Sequence, residues 1–90
     1  MKTLRDVLAN CDEGKEYLVT FHSGRQLVLK DFEPVDESIY GRNDLFVGWV
    51  VSQVKGDKRF FTPGSGIQFS LSEIKEVAVN SNGSVLYCTA

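Results

Sequence analysis

A basic run between two strand-like patterns has the residue types most suited to binding chemistry. Lys55, Lys58 and Arg59 stand beside Phe60 in KGDKRFF, and residues 45–62 hold three cations and one acid. Cations that contact phosphates, next to rings that stack on bases, are typical of single-stranded nucleic-acid sites. Successive strand side chains point to opposite faces, so Phe60 and the next phenylalanine do not share a face. The run is therefore interpreted first as a hairpin turn, whose candidate contact residues for a partner or nucleic acid are Lys55, Lys58, Arg59 and Phe60.

Catalytic and metal-binding patterns are weaker still. His22 lies in a predicted turn without a nucleophile or acid at triad spacing. The acids Asp31, Glu33, Asp36 and Glu37 lack the glycine and the bidentate glutamate of a calcium loop. The sequence therefore predicts no catalytic residues, no metal and no cofactor, and a protein that is not an enzyme.

The N-terminal residues predict the compartment of the protein, and the compartment predicts the state of its two cysteines. The N-terminal residues reach Asp6 before any apolar segment, unlike a signal peptide, so the cytoplasm is the expected location. No apolar run is long enough to cross a membrane. Thiols stay reduced in the cytoplasm, so Cys11 and Cys88 are expected to pack as small apolar groups.

The 90 residues are predicted to form one small domain, with a short helix followed by five or six antiparallel strands. Positions 4, 7, 8 and 11 are apolar at helical spacing. Thr3 and Asp6 resemble a capping box, and Gly14 is where the helix is expected to end. From residue 16 onward the apolar period is two, which indicates strands.

Two hairpins follow from turn chemistry. Residues 16–21 and 25–32 are joined by a three-residue turn ending in Gly24, which pairs Val19 with Leu27. Residues 74–79 and 84–88 are joined by Asn82-Gly83, which favours a type I′ turn. Gly24 and Gly83 are predicted to have positive φ, and Gly56 is expected to supply the bend of the basic turn.

The middle of the chain is less regular. Residues 34–44 are predicted to be a loop, and residues 45–54 a strand that is apolar on both faces and bent at Gly48. Residues 59–62 and 67–69 form an interrupted strand, because Pro63 cannot donate to a ladder. Residues 70–73 are predicted to form a 3₁₀ turn.

The expected core collects the apolar side chains of the chosen faces. Trp49 is placed there because tryptophan in a central strand is usually buried. The strand positions are Val19, Phe21, Leu27, Leu29, Trp49, Val51, Phe69, Ile74 and Val77, and the helix adds Leu4, Val7 and Leu8.

The order of these elements resembles the SH3-like and Sm-like small β-barrels. An N-terminal helix leads into YLVTFHSGRQL (residues 17–27), which is similar to the opening strands of the Sm family, and VKGD (residues 54–57) looks like its basic turn. The glycine that the family has in its second strand is absent near Lys30. The resemblance implies a small, strongly bent sheet or barrel, ring formation and binding of single-stranded RNA.

The preferred interpretation is a non-enzymatic interaction or assembly module that uses exposed strand edges. A protein partner or self-association into a homo-oligomer is favoured over nucleic acid, because a net charge of −2 gives little attraction for phosphates. A single-strand nucleic-acid binder using residues 55–59 is the first alternative. A small ligand-binding barrel, with Trp49 and Tyr40 lining a cleft, is the second.

Overall fold

The helix that opens the chain is shorter than its apolar pattern suggests. The computed structural model describes residues 3–35, 44–56 and 62–89, and α1 spans Leu4–Ala9. The capping box is confirmed, since the Thr3 hydroxyl accepts the Asp6 N–H at 3.2 Å and the Asp6 carboxylate accepts the Thr3 N–H at 3.3 Å. The side-chain amide of Asn10 donates to the Asp6 carbonyl at 2.7 Å, so this carbonyl of the last turn has a partner. The helix therefore ends before Gly14.

In the described part of the chain, six antiparallel strands form a single open sheet, as the mainly β prediction expected. Its order is β4-β3-β2-β1-β5-β6. A 3₁₀ turn at Leu71–Glu73 joins β4 to β5, as predicted. The strands are β1 Tyr17–Phe21, β2 Gln26–Pro34, β3 Leu45–Lys55, β4 Gly66–Ser70, β5 Ile74–Val79 and β6 Val85–Cys88. Within the described ranges, no helix is long and apolar enough to cross a membrane.

The first hairpin has the predicted register. Val19 lies opposite Leu27 in the β1–β2 ladder. The Phe21 N–H donates to the Arg25 carbonyl at 2.9 Å, and Gly24 has φ +93°. A three-residue turn with glycine in the left-handed region is therefore confirmed.

For the last hairpin, the predicted strands are correct and the predicted turn type is wrong. Gly83 has φ +73°, as predicted, whereas Asp31 is the only non-glycine residue of the described chain with positive φ, so Asn82 does not adopt a type I′ conformation. The loop is longer, because the Gly83 N–H donates to the Val79 carbonyl at 2.8 Å. Asn82 instead accepts the Ser84 N–H at 2.8 Å through its side chain.

The sheet is strongly curled. β4 and β1 lie three strand positions apart, which would separate them by about 14 Å in a flat sheet. Yet the rings of Phe21 and Phe69 have centroids only 6.0 Å apart, packed edge to face. The curl stops short of the closed barrel, since β4 and β6 are the two ends of the sheet and are not paired with each other.

The core lies inside this curl, and α1 contributes Leu4, Val7 and Leu8 to it. All predicted core residues except two are buried. Trp49 is 42% exposed and Val51 is half-buried, so placing them in the core was wrong. Phe46 and Val50 take their place at 1% and 2% exposure.

The inward face of β3 is set by contacts that the strand's own pattern does not contain. A Cβ at Gly48 would lie 3.2 Å from the Phe32 ring, so this ring fills the space above the glycine. Gly48 therefore faces inward together with Phe46 and Val50, and Trp49 faces outward.

The cysteines differ from each other. Cys11 is half-buried and packs against the core, as expected, while Cys88 is exposed on β6 and does not pack as an apolar group. The exposed position follows from β6 being an end strand of the sheet.

Candidate functional site

The predicted basic turn is described only at its start. Lys58, Arg59 and Phe60 lie outside the described residues, as does the orientation predicted for the two phenylalanines. Lys55 is exposed at the end of β3, and Gly56 has φ +122°, as expected for a turn.

The structure gives Lys55 a cationic neighbour that sequence spacing did not reveal. In the β2–β3 ladder Gln26 lies opposite Lys55, which brings Arg25 to the same end of the sheet. A shallow cavity of about 440 Å³ is lined there by Ser23, Gly24, Arg25, Lys55 and Gly56. We call this surface the basic tip.

A buried amide lies beneath the basic tip. The side-chain nitrogen and oxygen of Gln53 are buried and have no hydrogen-bond partner among the described residues, and a Cβ at Gly56 would lie 3.0 Å from that nitrogen. Burial of an unsatisfied polar group costs about 1–3 kcal/mol. The tip therefore contains an unused donor and acceptor beside its charges.

The β4 end of the sheet is the more regular of its two edges. All five β4 residues pair with β3 without a register shift, from Leu45–Ser70 to Trp49–Gly66. β6, at the other end, has a shift in its pairing with β5. Bulges of that kind protect an edge against further pairing, whereas a straight edge is a template for another strand.

The unpaired main-chain groups of β4 follow from the ladder's alternation. The Val50 N–H donates to the Ser65 carbonyl at 2.8 Å, so Val50 is bonded toward the β4 side. In an antiparallel ladder every second residue then points away from the partner, which directs the N–H and C=O groups of Gly66 and Gln68 outward. The next residue in this series, Ser70, donates its N–H to the Glu73 carboxylate at 2.7 Å. Gly66 and Gln68 make no such bond within the described part of the chain.

A cleft of about 320 Å³ lies beside this edge, between β4 and the β1–β2 turn. We call it the edge cleft. Its floor is apolar and its rim is polar. The floor consists of Phe21, Ile67 and Phe69, and the rim of His22, Ser23, Arg25, Gln68, Ser72 and Glu73.

Hydrogen bonds hold the walls of the edge cleft in place. The His22 N–H donates to the Glu73 carbonyl at 2.9 Å, which ties the β1–β2 turn to the 3₁₀ turn. The Ser70 hydroxyl donates to the Asp44 carboxylate at 2.7 Å, and the Leu71 N–H donates to the Asp44 carbonyl at 2.8 Å. The end of β4 is thus fixed from two sides, so the cleft is a preformed site.

Trp49 covers the outer face of β4 at Gly66. Its indole lies over Gly66, where a Cβ would come within 3.1 Å of the ring. An aromatic side chain packed across a glycine of the neighbouring strand stabilises the pair. Trp49 also lines a surface cavity of about 410 Å³ with Lys30 and Asp31, while Tyr40, its predicted companion, lies outside the described residues.

The residues considered for catalysis or metal binding do not form a reactive site in the described part of the chain. His22 is exposed in its turn, as expected. Asp31 accepts the Gly14 N–H at 2.7 Å, and Asp36 and Glu37 lie outside the described residues. Burial raises the pKa of the Cys11 thiol, which keeps it neutral and weakly nucleophilic. No cluster of three His, Cys, Asp or Glu side chains occurs among residues 3–35, 44–56 and 62–89.

Sequence reasoning missed the β4 edge as a site. The only local signal was Pro63, which placed the interrupted strand at an edge or a bulge but did not show what such an edge could bind. Comparison of the chain with known protein families, with curated proteins and with solved structures finds no match in any of the three.

Proposed function

We propose that this protein is a non-enzymatic interaction module that binds an extended polypeptide segment along β4. The observation that carries the proposal is the regular β4 edge, with Gly66 and Gln68 directing main-chain donors and acceptors outward. An added strand satisfies these groups, and its side chains reach the adjacent cleft. Peptide recognition by strand addition takes affinity from such main-chain bonds and specificity from neighbouring pockets.

The scaffold we propose is a small barrel of the SH3-like or Sm-like kind that is left open at β4. Support comes from the curl that brings Phe21 against Phe69 and from the helix and 3₁₀ turn that accompany the sheet. The bound strand belongs to another protein or to a second copy of this chain in a homo-oligomer. We place the interaction in the cytoplasm.

A matched pair of variants at Gln68 tests the main-chain part of this proposal. Gln68→Pro removes an outward N–H without removing a β3 bond, while Gln68→Ala changes only the side chain. Peptides are first selected from a random eight-residue library displayed on phage, and self-association is measured by analytical ultracentrifugation.

We expect selected peptides to bind Gln68→Pro at least about tenfold more weakly than Gln68→Ala, which equally lacks the glutamine side chain; this is the equivalent of one lost hydrogen bond of about 1.4 kcal/mol. Equal affinity for Gln68→Pro and Gln68→Ala contradicts the proposal. So does the absence of both peptide enrichment and self-association.

A second candidate is binding of single-stranded nucleic acid at the basic tip. It is favoured by the convergence of Arg25 and Lys55 at the basic tip, because cations contact phosphates. Two phosphate contacts predict a salt slope of only about −1.4. Micromolar binding at moderate salt that is lost in Arg25→Ala/Lys55→Ala, but kept in Lys30→Ala, would favour this candidate over strand addition.

A further inference from the structure

The loop between β5 and β6 contains the one asparagine of the chain that is followed by glycine. Asn82 and Gly83 are both exposed, and apart from the neighbours in the chain no described residue would lie within 4 Å of a Cβ built on Gly83. Asparagine is among the chemically labile residues, and its side-chain amide is lost most readily where the next main-chain nitrogen is unshielded. This chemistry is independent of the proposed strand addition at β4.

The reaction uses water as its only co-reactant. The Gly83 nitrogen attacks the side-chain carbonyl carbon of Asn82 and gives up its proton to solvent base, and the amide group leaves as ammonia. A cyclic imide now joins the two residues. Water opens this imide at either carbonyl carbon. Opening at the main-chain carbonyl gives isoaspartate, in which the chain runs through the former side chain, and opening at the other carbonyl gives aspartate.

One hydrogen bond holds the electrophile in place. The Asn82 side-chain oxygen accepts the Ser84 N–H at 2.8 Å. This bond keeps the side-chain carbonyl against the backbone that follows Asn82, where the Gly83 nitrogen lies, and it draws electron density from the carbonyl carbon. Asn10 has a different arrangement, because its side-chain nitrogen donates to the Asp6 carbonyl in the preceding turn.

A second hydrogen bond restrains the nucleophile. The Gly83 N–H donates to the Val79 carbonyl at 2.8 Å, inside the loop that the Val79 N–H and the Ser84 carbonyl close. While this bond is made, the nitrogen keeps its proton from solvent base. Loop tips open locally at far lower cost than the whole molecule unfolds. Opening of the Gly83–Val79 bond is therefore the step that releases the nucleophile.

We propose that Asn82 is a site of spontaneous deamidation and that the Gly83–Val79 hydrogen bond controls its rate in the folded protein. The product carries a negative charge that the amide lacks. Isoaspartate also lengthens the main chain before Gly83 and moves its N–H away from the Val79 carbonyl. The modification therefore loosens the β6 end of the sheet, which lies opposite β4 in the strand order.

Incubation at mildly alkaline pH tests the proposal. Wild-type protein is kept either folded in buffer or unfolded in guanidinium chloride, and samples are digested and mapped by tandem mass spectrometry. Conversion raises the mass at Asn82 by the difference between an acid and an amide, and an isoaspartyl methyltransferase detects isoaspartate. Asn10 and Asn80 are also exposed and serve as internal controls. Asn82→Asp provides the aspartate product as a reference.

In the folded protein, Asn82 is expected to be converted while Asn10 and Asn80 stay intact. Unfolding should speed the conversion of Asn82 by at least about fivefold, the equivalent of one hydrogen bond that no longer opposes the attack. The isolated isoaspartate form should exchange its Val79 and Gly83 amides with solvent faster than Asn82→Asp does.

Each part of the proposal has its own contrary result. Asn82 that stays intact in the folded protein overturns the site, whether or not the unfolded chain is converted. Equal rates in the folded and unfolded protein overturn the control assigned to the Gly83–Val79 bond. Equal amide exchange in the isoaspartate form and in Asn82→Asp overturns the loosening of β6.

Discussion

Gly48 is the residue at which the inner face of β3 is decided. A Cβ there would lie 3.2 Å from the Phe32 ring, closer than packed side chains normally approach, and 3.4 Å from Leu29, at ordinary contact distance. Gly48→Ala is expected to lower the free energy of unfolding by about 1–3 kcal/mol, because the core must shift to admit the methyl group. Urea unfolding measures this, with exposed Ser52→Ala on the same strand as the control. Equal stability of the two variants would contradict the contact between Gly48 and Phe32.

Trp49 was predicted to lie in the core and Phe46 was not, but the structure buries Phe46 and leaves Trp49 partly exposed. Phe46 is 1% exposed, packs in the core and lies with its ring 5.5 Å from the Arg5 guanidinium, while Trp49 is 42% exposed. Phe46→Ala is expected to cost about 3–5 kcal/mol of stability. Trp49→Ala is expected to cost less than about 2 kcal/mol, since most of what it loses is contact with Gly66. Denaturant unfolding measures the loss of stability in each variant. A larger loss in Trp49→Ala than in Phe46→Ala would contradict the assignment of Phe46 to the inward face of β3.

Because of Cys11, the free energy of unfolding is expected to fall as the pH rises into the alkaline range. Burial raises the pKa of the Cys11 thiol and also that of the neighbouring Tyr17 hydroxyl, which accepts the Asp12 N–H at 3.0 Å. The unfolded chain therefore loses these protons at lower pH than the folded one, so stability is full below about pH 8.5 and falls as pH rises above it. Thermal unfolding between pH 7 and 10 measures the fall. Cys11→Ala should show a shallower fall than wild type, and an equal fall in both would contradict the contribution of Cys11.

At the scale of elements, the 3₁₀ turn is the part that holds the β4 edge in position. Glu73 accepts the Ser70 N–H at 2.7 Å, and its carbonyl accepts the His22 N–H. Glu73→Ala is expected to cost about 1 kcal/mol, the usual effect of losing a capping interaction. Chemical denaturation checks this against Lys75→Ala, an exposed change in the next strand. A loss no larger than that of Lys75→Ala would show that the carboxylate does not cap the turn.

The sequence correctly predicted the elements that are determined by residues close together in the chain. The capping box at Thr3, the 3₁₀ turn within residues 70–73 and the turn at Gly24 each depend on residues within four positions of one another, and all three are present. β3 was placed correctly as a strand, but both of its faces are apolar, so only the distant Phe32 determines which one is inside. The turn at Asn82 was misassigned because Asn-Gly also fits a longer loop.

The candidate site could not be read from the sequence for a related reason. The edge cleft joins β4 to a turn more than forty residues earlier, and the basic tip joins Arg25 to Lys55. Strand order creates both sites. Residue spacing predicted the strands themselves, while strand order and curl arise from tertiary packing.

In the molecule as a whole, the described part of the chain forms an open sheet with two unlike ends. β4 is straight and β6 is bulged, and the edge cleft lies beside β4. The proposed strand addition therefore depends on the outward main-chain groups of two residues, Gly66 and Gln68.

Amide hydrogen exchange of the monomer, read by NMR with and without a peptide selected from the random eight-residue library, tests this claim most directly. In the protein alone, the amides of Gly66 and Gln68 should exchange at least about a hundredfold faster than those of Ile67 and Phe69, which the ladder directs into β3. Saturating peptide should slow the exchange of Gln68 toward that of its neighbours. Gln68 protected as well as Phe69 in the free monomer, or unchanged by bound peptide, would contradict the account.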